Sequence, residues 1–155
     1  MSQLLDAVAD LLNPCEPVPG VVTGGQPQLT HLAALKRAGC DVVVDVRESM
    51  EEQPFDAPVA VRAAGLEYQN IPVSHTPFDD QPLEALRLAV RGFAGSKRAF
   101  VYCNSGNRVG AALIPYLMLD QGLDEETAVN AAMRMGTRAQ DLLDWALAYV
   151  LRQRP

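Results

Sequence analysis

Apolar positions along this chain fall into two patterns. Short runs, "VVTGG" at 21–25, "CDVVVDV" at 40–46, "LEYQNIPV" at 66–73 and "RAFVYC" at 98–103, have the length of strands. The continuous β-branched ones suit strands covered on both faces. Between these runs, helical patterning predicts a helix over 2–13, capped by Ser2 and stopped before Pro14, and one over 31–38, capped by Thr30 and ended at Gly39. Further helices are expected over 57–64, with Pro58 in its first turn, and over 83–93, started by Pro82. Three more fall near 109–121, 125–135 and 138–152; Pro115 should kink the first and Asp124 cap the second. "NPCEPVPG" at 13–20 reads as a rigid connector.

Strand and helix alternate. The fold class this predicts is α/β, with three layers: a mostly parallel sheet of four strands, with room for a fifth, flanked by helices. A chain of 155 residues suffices for one domain with a real core, an N-terminal helix over 1–13 preceding a body over 20–153. Composition narrows the class further. At 48% apolar and 21% charged the chain is neither disordered nor a membrane protein, and no apolar run approaches the roughly 18 residues of a spanning helix. The N-terminus lacks the basic start of a signal peptide, so the expectation is cytoplasmic. A net charge of −6 without a basic block argues against nucleic acid as a partner. Three scattered cysteines and two histidines, His31 and His75, support neither a disulfide framework nor a zinc site. No metal or organic cofactor is expected, and the oligomeric state is not legible. Cys15 reads as a coil residue and Cys40 as a small buried apolar group.

Ligands of open α/β sheets bind beyond the C-terminal strand ends. Four segments meet there: "TGGQP", "DVRES", "PVSHTPFDD" and "CNSGNR". In the last, a strand ends at Cys103 and a helix opens near Arg108. Such a turn gathers backbone N–H groups and the positive end of a helix dipole around one point, which suits an anion. Gly106 permits the positive φ a tight turn needs. Arg108 closes the cradle with a planar set of donors, and a cradle of this kind favours thiolate over thiol. Cys103 is therefore the candidate nucleophile, with Asn104, Ser105, Gly106, Asn107 and Arg108 as the anion-binding loop. Arg47 either helps place the anion or braces the loop through Asp45, and Gln26 packs under the site. "MEEQ" at 50–53 reads as a solvated turn. Met118, Met133 and Trp145 read as core.

The loop "CNSGNR" resembles the active-site loops of two enzyme groups. In tyrosine and dual-specificity phosphatases the pattern is His-Cys, five residues, then Arg followed by Ser or Thr. In rhodanese-type sulfurtransferases it is Cys, four residues, then Arg. The body, through "GVVTGGQPQ", "DVVVDVRES", "YQNIPV" and "CNSGNRVGAALIPYLM", is similar to a bacterial phosphatase-like family, also called beta-lactamase-hydrolase-like, whose members have been described both as phosphatases and as sulfurtransferases. The resemblance implies a cysteine-phosphatase-like fold. This chain departs from the phosphatase pattern at Tyr102 for His, at Val109 for the Ser or Thr that steadies the leaving thiolate, and by one missing loop residue. Ser74 stands after "IPV", where relatives often carry an acid.

Three readings follow. The shorter ring suits a single sulfane sulfur, so sulfur transfer through a persulfide on Cys103 stands narrowly first, with a small oxyanion or persulfide as substrate. Phosphoester hydrolysis through a phosphocysteine stands second and needs a general acid. Asp79 and Asp80 are the candidates, against the alternative that they cap the helix after Pro82. His75 is a weaker one. The third reading is a catalytically silent anion-binding module.

Overall fold

The computed structural model describes residues 2–77, 79–93 and 95–154, so Phe78 of the "PVSHTPFDD" loop lies outside the described residues. Five strands, β1 (Cys15–Val18), β2 (Val21–Gly24), β3 (Val42–Asp45), β4 (Glu67–Asn70) and β5 (Ala99–Tyr102), form one sheet in the order β1-β2-β5-β3-β4. β1 pairs antiparallel with β2, and the other three pairings are parallel.

Side-chain alternation on the strands splits the core in two. Val42, Val44 and Val101 face one layer, where α4 (Gln81–Phe93), α5 (Asn107–Pro115), α6 (Glu125–Met135) and α7 (Gln140–Gln153) cover them. Val22, Val43, Phe100 and Tyr102 face the other, under α1 (Gln3–Asp6), α2 (Leu29–Arg37) and α3 (Ala57–Ala63). Val43, Phe100, Leu32 and Leu86 are fully buried, and each such side chain contributes about 1.5–3 kcal/mol. No helix among the described residues is long and apolar enough to cross a membrane.

Several local expectations change. The proline-rich connector holds β1, with Cys15 opposite Thr23 and Val18 opposite Val21, so Cys15 is a strand residue. Pro17 is tolerated because β1 is an edge. The N-terminal helix starts at the Ser2 cap but ends at Asp6. Residues 7–13 leave it because Leu12 and Asn13 have tertiary partners, described below. α2 begins before Thr30: the Gln28 N–H donates to His31 Nδ1 at 2.9 Å, and His31 Nε2 meets Asp10 at 2.8 Å. After Pro115, which has no N–H to give, α5 widens into a single π turn over Tyr116–Asp120. Met133 is exposed, whereas Met118 and Trp145 are buried.

The register fixes where the loops emerge. Gly24, Tyr102, Asp45 and Asn70 lie in line across β2, β5, β3 and β4. All four parallel strands therefore end level, and their following loops share one edge.

Candidate active site

Cys103 directly follows β5 and is buried. Gly106, at φ +97, turns the chain into α5, and its N–H donates to Cys103 Sγ at 3.1 Å. A side chain at Gly106 would be strained by that φ and would collide with the Met135 carbonyl oxygen. The loop carbonyls are engaged from outside. Gln26 N–H donates to Asn104 O at 3.1 Å, Asn13 Nδ2 to Ser105 O at 2.8 Å, and Thr137 Oγ1 to Asn107 O at 2.7 Å. Asn107 Oδ1 accepts from the Arg138 N–H at 2.7 Å. In a trans peptide, a carbonyl held outward turns the following N–H inward. That orients the N–H groups of Ser105 and Gly106 toward the cradle, and Gly106's is the one found on sulfur. The first-turn amides of α5 have no intrahelical acceptors by construction.

Arg108 is fully buried. Its Nη1 and Nη2 fork onto Glu51 Oε2 and Oε1 at 2.7 and 2.9 Å, and Nη1 also donates to Val73 O at 3.0 Å. Nε has no partner among the described residues. Burial works against the Arg108 charge, but the Glu51 hydrogen bonds, then the neighbouring Cys103 sulfur, outweigh it and push the guanidinium above its ordinary value. For Glu51, burial alone would raise the carboxyl. The Arg108 hydrogen bonds, the Glu48 N–H and the Arg108 and Arg47 charges bring it down to about 2.

"MEEQ" is thus a solvated turn only in part: Met50 and Glu52 are exposed, Glu51 and Gln53 half-buried. It lies against the site, with Glu51 on Arg108. Gln53 bridges Asp45 and Tyr102, accepting from Tyr102 Oη and donating to Asp45 Oδ2, both at 2.9 Å. Tyr68 Oη also donates to Asp45 Oδ2. Burial, then the Asp45 charge, raises the phenol of each tyrosine. Sequence reasoning missed Glu51 because an acidic pair between polar neighbours looks like surface. The available signal was Arg108 itself, since a buried guanidinium needs a carboxylate.

Arg47 is buried beside this loop. Its N–H donates to Asp45 Oδ1 at 2.9 Å, and its guanidinium meets Gln26 Oε1 and the Glu52 carbonyl. Gln26 thus links the loop after β2 to the loops after β5 and β3. The loop after β4 holds the remaining candidates. Asp79 Oδ1 accepts from Gln81 N–H at 2.7 Å, a capping contact, and Asp79 lines a cavity of about 210 Å³ with Glu48, Ser74 and Pro77. Asp80 pairs with Arg152 and lines a different cavity with Asp141, Asp144 and Trp145. His75 is exposed. The structure therefore gathers Cys103, the loop amides and Arg108, sets Arg47 alongside, and separates Asp79 from Asp80.

No family model and no curated protein matches the chain. Solved structures do. A DUF442 protein of Shewanella putrefaciens CN-32 superposes with a TM-score of 0.81 at 21% identity, covering 96% of this chain and 97% of that one. P. aeruginosa TpbA in complex with phosphotyrosine gives 0.69 at 19% identity, covering 90% and 83%. The core catalytic domain of the PP-IP phosphatase SIW14 from S. cerevisiae, in complex with citrate, gives 0.69 at 18% identity, covering 90% and 86%. These likenesses establish the fold as that of tyrosine and dual-specificity phosphatases. They give the rhodanese-length reading of the loop no support.

Proposed function

We propose that this protein is a cysteine-dependent phosphatase acting on a phosphomonoester. The observation that carries the reading is the buried Cys103 sulfur under the Gly106 N–H, beside a guanidinium whose Nε has no partner among the described residues. A buried donor left unmade costs about 1–3 kcal/mol. A phosphoryl oxygen is a strong acceptor for it, and a persulfide sulfur a poor one. Fold neighbours in complex with phosphotyrosine and with citrate support an oxyanion as ligand.

In this reading the Cys103 thiolate attacks phosphorus. The S–P bond forms, the ester P–O bond breaks, and the leaving oxygen takes a proton from Asp79. Asp79 is preferred to Asp80 because its cavity includes Glu48 of the loop after β3, whereas Asp80 is held by Arg152. Water then attacks phosphorus, the S–P bond breaks, and the Asp79 carboxylate recovers a proton from the water. The loop amides and Arg108 stabilise the equatorial oxygens.

Sulfur transfer is the second reading, favoured by the four-residue spacing and the single N–H on sulfur. The test is turnover of an aryl phosphate beside turnover of thiosulfate with cyanide, for the wild type and Cys103→Ser. The proposal expects phosphate release that the variant abolishes. Thiocyanate formation without phosphate release would establish the second reading. Neither product would leave an anion-binding module.

A further inference from the structure

Asn13 lies 92 residues from Ser105 in the chain, yet its Nδ2 donates to the Ser105 carbonyl at 2.8 Å. That carbonyl and the Gly106 N–H belong to one peptide group. Because the group is planar and trans, fixing the oxygen fixes the hydrogen, and the hydrogen points at Cys103 Sγ. We propose that Asn13 is a positioning residue for the nucleophile, holding the Gly106 N–H on the Cys103 sulfur through the Ser105 carbonyl. This rests on Cys103 being the nucleophile.

Asn13 adopts φ +51 and is the non-glycine residue with positive φ among the described residues. That conformation is uncommon for any side chain, although Asn tolerates it best. Here it is disfavoured twice, because the next residue is Pro14, which pushes its predecessor toward extended φ. Conformations of this kind persist where surrounding structure over-determines them. The surroundings do so. Leu12 O accepts from the Gly25 N–H at 2.9 Å, one residue before Asn13, and Asp10 is tied to His31 at 2.8 Å. On the far side Gly136 leaves room for the contact: a Cβ there would lie 2.8 Å from Asn13 Nδ2 and 2.9 Å from Ser105 O. Three separate stretches of chain thus converge on one hydrogen bond to the loop that carries the cysteine.

An ordinary turn role makes a different forecast. A turn residue needs only its backbone, and glycine supplies positive φ more readily than asparagine. Asn13→Gly therefore keeps the turn and removes the donor, and Asn13→Asp keeps the shape and replaces the donor with an acceptor. Arg108 on α5, which neighbours the sulfur, and the Glu51 and Glu48 carboxylates that face Arg108 from the loop after β3 stay in place in both.

The experiment is the pH titration of Cys103 thiolate absorbance in the far ultraviolet, taken as the difference from Cys103→Ser, for the wild type and both variants. It needs no substrate and no access for a reagent. Aryl-phosphate kinetics run alongside. Releasing the Ser105 carbonyl loosens the Gly106 N–H bond to the thiolate, which predicts a midpoint higher by up to about one pH unit in Asn13→Gly and kcat lower by up to about tenfold, with KM kept. Asn13→Asp should shift at least as far. A wild-type midpoint in the acid range that Asn13→Gly leaves unmoved would overturn the role of Asn13 while sparing the active-site reading. A wild-type midpoint of an ordinary thiol would overturn both.

Discussion

Replacing Glu51 with Gln tests the most buried charge pair of the site. The Glu51 carboxyl sits at about 2 in the folded chain against an ordinary 4.5. The difference of about 2.5 pH units, at 1.36 kcal/mol for each, amounts to about 3 kcal/mol of stability. Removing one partner of a buried pair costs about 3–5 kcal/mol, because the other charge is stranded, and Arg108 is the fully buried partner here. Because the folded value is the lower one, the stabilisation is complete above the unfolded value and is lost as pH falls toward the folded one. Urea unfolding at pH 7 should show Glu51→Gln weaker by about 3 kcal/mol, or a Tm lower by about 6–12 °C. The gap should narrow below about pH 4.5 and close near pH 2. Equal stability at pH 7, or a gap that persists unchanged at the acid end, would refute the account of the Glu51–Arg108 fork.

Two other outcomes follow from the same geometry. Asp79→Asn should lower kcat on alkyl phosphates by about 10²–10⁴, and far less on aryl phosphates, whose leaving groups need less protonation. Asp80→Asn should stay within about twofold on both; an equal loss from the two variants in steady-state assays would contradict the assignment. Gly106→Ala should destabilise the chain by more than about 1 kcal/mol in urea unfolding, because φ +97 and the Met135 carbonyl both oppose a Cβ; a neutral result would count against the loop geometry.

Parallel strands β2, β3 and β5 were legible in the sequence because each is short, largely apolar and bounded by turn residues, whereas polar β4 was legible from its place between two helical segments. The level ending of Gly24, Tyr102, Asp45 and Asn70 was legible only as a topological consequence of strand–helix alternation. What stayed hidden depends on contacts between distant segments. β1 contains Pro17, lies between Pro14 and Pro19, and looks like a connector until Thr23 and Val21 are known to pair with it. The expected helix over 2–13 is patterned correctly at Leu4 and Val8, both buried, but Gly25 and Ser105 take Leu12 and Asn13 out of it. The juxtaposition of Cys103 and Arg108 was legible because strand, glycine, arginine and helix follow one another in the chain. Glu51 and Asn13 were missed because their partners lie far away in sequence, at Arg108 and Ser105.

The most direct test of the central claim is the mass of the protein quenched in acid during turnover of an aryl phosphate. Val109 stands where phosphatases carry a hydroxyl residue, so it offers the sulfur no hydrogen bond during hydrolysis. The phosphocysteine should therefore accumulate, and peptide mapping should place one phosphoryl group on Cys103. Phosphate release with Cys103 unmodified, and still proceeding in Cys103→Ser, would contradict the account.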